Sequence, residues 1–460
     1  MRKALVLVLL LLCSQGFFAQ EYYRVADIVI SGNEKTKPQT ILREFRYSIG
    51  DSIPVDEVDP EIATFSDNLH RLMLFNNIDV SYFQADSTNI TVNVLVVERW
   101  YYWVYPILEI ADRNLTSYFY YRDFRRLNYG AAFDWLNFRG RNEMLNFKVR
   151  LGYKEHYAIS YQKPNIGRNR ASGIWINAEY FRQKQDISCI ADNKPVYTEN
   201  IDKYIRNSFD VGAGYVFRPQ TNYDFSLSLT YQNIVSKDSM LFMQVPYKQN
   251  FFIPAFGFDY DTRDSKVCPK KGMHAEFGVK AFVDLESNVF AFANASFEYN
   301  CNVYNDRLFY HGAISYKQFL GDEEIIPVNK RIELCRDYLV RGFDYYYIIG
   351  RNFESMQNTI SVKILNHRDF SLPRWIPRKF REPYIQILMD FFADVAYSSN
   401  FVENFKTNNS LSQKPIWSVG AGLSFETYYD RVLNVYVAYN GNFNNIGVFV
   451  NYITPIYKKF

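Results

Sequence analysis

The 460-residue chain is short of several things. Its five cysteines are scattered without CxxC spacing, which excludes a zinc ribbon and a dithiol redox site. Glycine and proline number only 21 and 16, too few for a collagen-like or low-complexity chain. Neither sign of charge dominates: 52 Lys and Arg stand against 49 Asp and Glu. Nothing in that balance points to nucleic acid as a partner. After the first dozen residues no stretch approaches eighteen apolar positions, so no membrane-spanning helix is expected. His70, His156, His274, His311 and His367 fall in no metal-ligand spacing. A GxSxG nucleophile elbow and a phosphate-cradling glycine loop are both missing. No enzyme activity, cofactor or metal is expected from these motifs.

Aromatic residues are abundant. Phe, Tyr and Trp number 39, 38 and 6, or 18% of the chain, yet mean hydropathy is −0.26. So much aromatic surface excludes intrinsic disorder. The polar average excludes a bundle of membrane helices. An aromatic excess inside a polar average has to be explained by patterning.

Residues 1–19 have the form of a secretory signal peptide. Arg2 and Lys3 precede an apolar run from Ala4 to Leu12, and Gly16-Phe17-Phe18-Ala19 offers a cleavage point before Gln20. Nine apolar residues are too few to span a bilayer as a helix. Cleavage there leaves Cys189, Cys268, Cys301 and Cys335. An exported chain can form disulfides, and four cysteines allow three pairings.

Residues 20–100 are written in mixed α/β style. Tyr23 to Ile30 alternates as a strand, and Ser31-Gly32-Asn33 turns the chain. Thr36 is placed to cap a helix carrying Ile41, Leu42 and Phe45, closed by Gly50. A second helix starts near Asp59-Pro60, its apolar stripe running Ile62, Phe65, Leu69, Leu72 and Met73. Ile78 to Gln84 and Ile90 to Val97 follow as strands around the turn Asp86-Ser87-Thr88-Asn89. The expected order is β-α-α-β-β.

From residue 101 to 460 the period changes to two. Leu145, Phe147, Val149 and Leu151 alternate with Asn146, Lys148, Arg150 and Gly152. Trp417, Val419, Ala421, Leu423 and Phe425 interleave with serines and glycines, and Leu433 to Tyr439 and Ile446 to Tyr452 repeat the pattern. About sixteen such segments fit, at roughly 22 residues per strand and connection, the arithmetic of a transmembrane β-barrel. A soluble β-sandwich also alternates. However, mid-strand Lys148, Arg150, Glu276 and Lys280 on the inward face do not suit a dry core. Trp100-Tyr101-Tyr102-Trp103 bunches where a membrane-interface girdle belongs. The fold class expected is thus a transmembrane β-barrel of about sixteen antiparallel strands behind one small α+β domain.

These residues resemble the BamA/TamA superfamily of outer-membrane assembly and translocation proteins, which join POTRA domains to a bacterial surface antigen barrel. Residues 20–100 resemble one POTRA domain, through Ile28-Val29-Ile30-Ser31-Gly32-Asn33, Ile41-Leu42-Arg43-Glu44 and the run Leu72 to Val80. Val340-Arg341-Gly342-Phe343 resembles the VRGF motif of the family's sixth extracellular loop. Phe392-Ala393-Asp394-Val395-Ala396 resembles its Phe-x-Asp-x-Gly wall motif, with Ala396 at the usual glycine. Asp261-Thr262-Arg263-Asp264 and Ser160-Tyr161-Gln162-Lys163-Pro164 resemble further signatures. Where the family carries Glu-x-Arg, this chain has Ser361-Val362-Lys363.

The resemblance implies that the loop folds into the lumen and that Arg341 pairs with a wall carboxylate. Asp394 is the expected partner and Asp390 a substitute for the missing glutamate. Alternation puts Gln386, Asp390, Phe392 and Asp394 on one face of their strand. Strand Ile78 to Gln84, with Ile78, Val80 and Tyr82, is expected at the edge of the POTRA sheet. His274 is expected to hydrogen-bond in the lumen beside Glu276. Running the barrel from a periplasmic first strand gives Cys268–Cys301 and Cys189–Cys335 as the bridges, if any form.

The function implied is insertion or translocation of other proteins, by strand capture at the POTRA edge and at a seam between first and last strands. The location implied is the outer membrane of a Gram-negative bacterium, with the POTRA domain in the periplasm. The partners implied are outer-membrane lipid, unfolded or nascent outer-membrane protein clients, and periplasmic or lipoprotein accessory subunits. A two-partner-secretion export pore and a passive diffusion porin are the alternatives.

Overall fold

The computed structural model describes residues 21–110, 124–166, 171–200, 202–220, 222–236, 248–322, 326, 330, 340–344, 346, 348, 350–367, 373, 375, 384–399, 410–427 and 431–453. The leader, Cys335 and the side chain of Cys189 lie outside them. The chain divides into a unit ending at Glu98 and a unit beginning at Arg99.

In the first unit β1 (Tyr22–Ser31) leads to a short helix α1 (Pro38–Leu42), then β2 (Ser52–Pro54), helix α2 (Val58–Arg71), β3 (Phe75–Gln84) and β4 (Asn89–Glu98). The sheet runs β2-β1-β4-β3, with β1 and β4 parallel and the other pairs antiparallel. Strand β3 therefore lies at an edge, as expected for Ile78, Val80 and Tyr82. The helices cover one face of the sheet. Ile41, Phe65 and Leu69 are buried with Val25, Ile90, Val92, Val94 and Val96, and Phe45 stacks on Phe65 at 4.7 Å. Burying each large apolar side chain contributes about 1.5–3 kcal/mol.

Three details depart from the sequence reading. Lys37, not Thr36, holds the N-cap of α1, and Pro38 opens the helix. The Thr36 backbone N–H is instead 2.6 Å from the buried Glu98 carboxylate, which also receives the Lys35 N–H. The apolar stripe of α2 stops at Arg71, because Met73 adopts φ +56 and turns the chain into β3. Strand β2 was not expected, since three residues are too few to display alternation.

At the β3–β4 turn, Asp86 accepts hydrogen bonds from the Asn89 side chain and from the Thr88 and Asn89 N–H groups. The Asn89 side-chain bond first, then the Thr88 amide, hold this exposed carboxyl down at about 2. A charged carboxylate accepting several N–H bonds favours its ionised form.

The second unit is an antiparallel sheet of sixteen strands. Its first five are β5 (Tyr102–Ile110), β6 (Leu127–Phe138), β7 (Glu143–Gly152), β8 (Lys154–Ile166) and β9 (Ser172–Gln183). A separate hairpin, β10 (Gln185–Ala191) and β11 (Lys194–Glu199), interrupts the series. The sheet resumes with β12 (Arg206–Gln220), β13 (Tyr223–Ser236), β14 (Lys248–Asp261), β15 (Gly272–Asp284), β16 (Val289–Tyr304) and β17 (Leu308–Leu320). It ends with β18 (Asn352–His367), β19 (Ile385–Ser398), β20 (Ile416–Thr427), β21 (Arg431–Asn440) and β22 (Asn445–Ile453). Apart from the hairpin, every strand pairs with its neighbours in sequence, and β9 pairs with β12.

Alternation sorts the two faces. On β19, Ile385, Met389, Phe391 and Val395 are exposed, whereas Gln386, Phe392 and Asp394 are buried. Leu227, Leu229, Ile314 and Val450, each more than half exposed, belong to the same outward apolar face. Water would make such a surface unfavourable; hydrocarbon does not. No helix among the described residues is long and apolar enough to cross a membrane.

The sheet curves back on itself. Arg431, at the start of β21, lies 4.4 Å from the ring centroid of Trp103 on β5. Strands β5 and β22 nonetheless share no ladder among the described residues. Inside, Phe251, Phe282, Phe290, Phe292 and Phe319 form one connected aromatic cluster. Lys330, 1% exposed, rests 4.9 Å from the Phe282 ring and donates to Gln232 Oε1 at 2.6 Å.

Cys268 and Cys301 are free thiols, contrary to the expected bridge. The register explains it. Cys301 alternates with Asn300, which is buried inward, so it points outward with Tyr299, while Cys268 belongs to the β14–β15 turn.

Candidate functional site in the barrel lumen

The most elaborate polar contact in the lumen joins the segment Val340–Asp344 to the wall formed by β18–β21. Asp394 faces inward because β19 alternates, and it is 3% exposed. The Arg341 guanidinium meets it bidentately, with Nη2 to Oδ1 at 2.6 Å and Nε to Oδ2 at 2.8 Å. The Arg341 backbone N–H adds a third bond to Oδ2 at 3.2 Å. The remaining donors reach β18: Nη1 donates to Thr359 Oγ1 at 2.9 Å and Nη2 to the Asn358 carbonyl at 3.4 Å. The guanidinium also lies 4.0 Å from the Phe392 ring centroid. Charge-assisted bonds of this kind contribute about 1.5–3 kcal/mol each. A fork-shaped cation on a planar carboxylate also fixes direction, which a point charge does not.

The residues flanking Arg341 seat the segment. Val340 and Phe343 are each 1% exposed and pack with Ile348, Phe353, Ala396, Leu411 and Ile416. Gly342 adopts φ +87, and a Cβ there would stand 3.0 Å from that of Ala438. Its carbonyl accepts from Asn440 Nδ2 at 3.1 Å. Asp344 accepts from the Gly342 N–H at 3.1 Å and from the Tyr436 hydroxyl at 3.2 Å. The five residues Val340–Asp344 thus contact β18, β19, β20 and β21 together.

Of the residues singled out from sequence, Val340, Arg341, Gly342, Phe343 and Asp394 come together. Asp390 does not join them. It accepts from Ser361 Oγ at 2.5 Å and from Ser424 Oγ. Ser361 stands at the start of the missing Glu-x-Arg, so a short hydroxyl takes up the carboxylate proposed as a substitute. The second partner of Arg341 is Thr359, one inward step along β18 and invisible in any motif. Asp344, Tyr436 and Asn440 were also missed. The direct signal was Asp344 itself, a carboxylate one residue after the motif.

A second cluster occupies the inner face of β14–β16. Asp261 receives Arg263 bidentately at 2.9 Å, and Arg263 Nη1 reaches Glu298 at 2.5 Å. His274 makes a lumen hydrogen bond, as expected, and its partner is Asp259 at 2.7 Å. Inward positions alternate, and Asp259 lies on the neighbouring strand across from Glu276, one diagonal step from His274. Asp259, Asp261 and His274 bring ligand atoms within 4.8 Å of one another. With Asp261 already clasped by Arg263, the arrangement is an ion-pair network in the wall.

At the end strands, Phe392, Tyr436 and Phe449 form an aromatic stripe on the lumen face of β19, β21 and β22. Gly420 makes room for it, since a Cβ there would fall 2.4 Å from Phe392 Cζ. Strand β22 is only nine residues long and includes Asn445, Gly447 and Asn451, poor formers of strand pairing.

Comparison with known proteins follows this architecture. The profile of the Omp85 superfamily domain matches residues 137–427, and that of the POTRA surface antigen variable number repeat matches residues 23–99. Among solved structures the chain is similar to BamA from Haemophilus ducreyi lacking POTRA domains 1–3. That likeness has 13% identity, a TM-score of 0.53, and covers 94% of this chain and 85% of that one. It is similar also to CdiB from Escherichia coli, at 12% identity and TM-score 0.55, covering 94% and 75%. CdiB from Acinetobacter baumannii gives 14% identity and TM-score 0.53, covering 94% and 73%. No curated protein sequence matches the chain.

Proposed function

The chain belongs to the Omp85 superfamily, and from that premise we propose that it inserts or assembles other proteins in the outer membrane of a Gram-negative bacterium, in the manner of BamA and TamA. The observation that carries this reading is the seam. Strands β5 and β22 share no ladder among the described residues, although Arg431 and Trp103 bring the two ends of the sheet together. An edge with unsatisfied N–H and C=O groups is costly in lipid and is a template for an incoming strand. A client strand that pairs there removes the cost by β-augmentation. Edge strand β3 offers the same chemistry in the POTRA unit, through Ile78, Val80 and Tyr82, which we place in the periplasm. The clients are unfolded or nascent outer-membrane proteins, handled with periplasmic or lipoprotein accessory subunits. Neither catalysis nor a cofactor enters this mechanism.

An export pore of the two-partner type is the second reading, favoured by the likeness to CdiB. In that case one passenger would cross the lumen. The lumen contacts of Arg341, Phe343 and Lys330 stand in such a path and favour action at the seam. Depletion of the protein followed by quantitative outer-membrane proteomics tests the proposal. Loss of integral barrels is the expected result. Loss of one secreted passenger, with the barrels intact, would replace insertion with export. Deleting residues 21–98 behind an intact leader separates both from a porin, which would conduct as before.

A further inference from the structure

The connection between β14 and β15, residues 262–271, does not hang free of the barrel. Arg263 pins its start to Asp261 and Glu298. Asp264 Oδ1 gathers the N–H groups of Ser265 at 3.0 Å and Lys270 at 2.9 Å, which folds the segment into a compact loop. Ser265 Oγ accepts from Val267 and Cys268. The loop then delivers Lys270 to a distant part of the wall. Lys270 Nζ donates to Gln386 Oε1 at 3.1 Å and to Glu426 Oε2 at 3.2 Å. Gln386 and Glu426 are 1% and 5% exposed, and they sit on β19 and β20. Strands β16, β17 and β18 lie between β15, into which the loop runs, and β19 along the sheet. The contact therefore spans a chord of the lumen instead of following its wall.

The β14–β15 connection joins strands at the end of the barrel opposite the β17–β18 connection that carries Arg341. We infer that residues 262–271 are a strap latched by Lys270 on Glu426 and Gln386, which closes that end of the lumen and must release before anything passes along it. Arg341 ties a segment to β19 at Asp394; Lys270 ties another to the same strand at Gln386. The two restraints act from opposite mouths. A half-buried ammonium between a carboxylate and an amide is held more firmly than a surface pair. The inference goes beyond the insertion proposal and is independent of it, because a closed mouth suits an insertion factor and an export pore alike.

The test uses the full-length protein reconstituted in planar bilayers. Lys270→Met and Glu426→Gln each remove one half of the latch. Each is expected to raise the time spent in a conducting state about tenfold, the ratio corresponding to ~1.4 kcal/mol. Lys270→Glu combined with Glu426→Lys restores opposite charges and is expected to return conductance toward wild type, a recovery that misfolding would not produce. Cys268, a free thiol on the strap, gives a readout apart from current. Its labelling by a water-soluble maleimide, followed by peptide mapping, is expected to quicken about tenfold in both single variants. Wild-type conductance with wild-type Cys268 labelling in both would overturn the inference. So would a charge-swapped protein as open as the single variants. Neither result bears on client insertion.

Discussion

Gln386 and Asp394 stand on one face of β19, and each receives a cation from a different connection: Lys270 at 3.1 Å and Arg341 at 2.6 Å. The pairing follows from alternation, since residues two apart on a strand share a face. It makes β19 the strand on which both lumen contacts depend.

Arg341→Ala leaves the Asp394 carboxylate buried without its cation, a situation that costs about 3–5 kcal/mol. The segment around Val340 is expected to become protease-sensitive in folded protein. Arg341→Lys keeps the charge and loses the fork, so it should fall between the two. Limited proteolysis at native temperature reads the order. Equal resistance in all three would remove the tether.

Gly342→Ala places a Cβ at φ +87 and 3.0 Å from that of Ala438. Strain at such a backbone position costs about 1–3 kcal/mol. Ala438→Gly relieves the contact and not the backbone strain. The double variant should therefore recover part of the lost thermal stability. Full recovery would mean that crowding alone demands glycine, and none that the backbone does.

Ionised Asp86 holds the β3–β4 turn. Its folded value, about 2, lies below the roughly 3.9 of an unfolded aspartate. A carboxyl lowered on folding stabilises the folded form above its unfolded value, and the effect fades as pH falls through the folded one. The turn should thus be insensitive between pH 5 and 8 and loosen only in strong acid. Asp86→Ala should speed exchange of the Thr88 and Asn89 amides at neutral pH, as read by hydrogen–deuterium exchange. Unaltered exchange would show that the backbone holds the turn unaided.

Two thiols, Cys268 and Cys301, should react with a thiol reagent in unreduced, denatured protein. Peptide mapping that finds them joined would contradict their placement on different sides of the wall.

Periodicity made the sixteen-stranded sheet and its two faces legible, because every strand from Leu145 onward repeats the same binary choice. The α+β unit was readable for the same reason, save β2, whose three residues carry no period. The Arg341–Asp394 pair was legible through motif resemblance and through the alternation of β19. Thr359 was not, since its role depends on which residue of β18 stands beside Asp394, a matter of register. The absence of a Cys268–Cys301 bridge, expected only if bridges form, has a similar origin: both cysteines were assigned to turns at one end, but Cys301 lies within β16, where one residue of phase decides which side of the wall it faces. Lys270 was out of reach altogether, because nothing local says that a turn crosses to strands more than 110 residues later.

A sheet whose strands pair in chain order, with no ladder between its first and last members among the described residues, could lengthen its perimeter without breaking a single existing ladder. Each strand added between β5 and β22 widens the circumference by about 4.8 Å. The cost falls on curvature, spread thinly over all sixteen strands. If client strands pair at that seam as proposed, the ring would behave less like a sealed tube than like a belt, its girth set by whatever is fastened at the buckle.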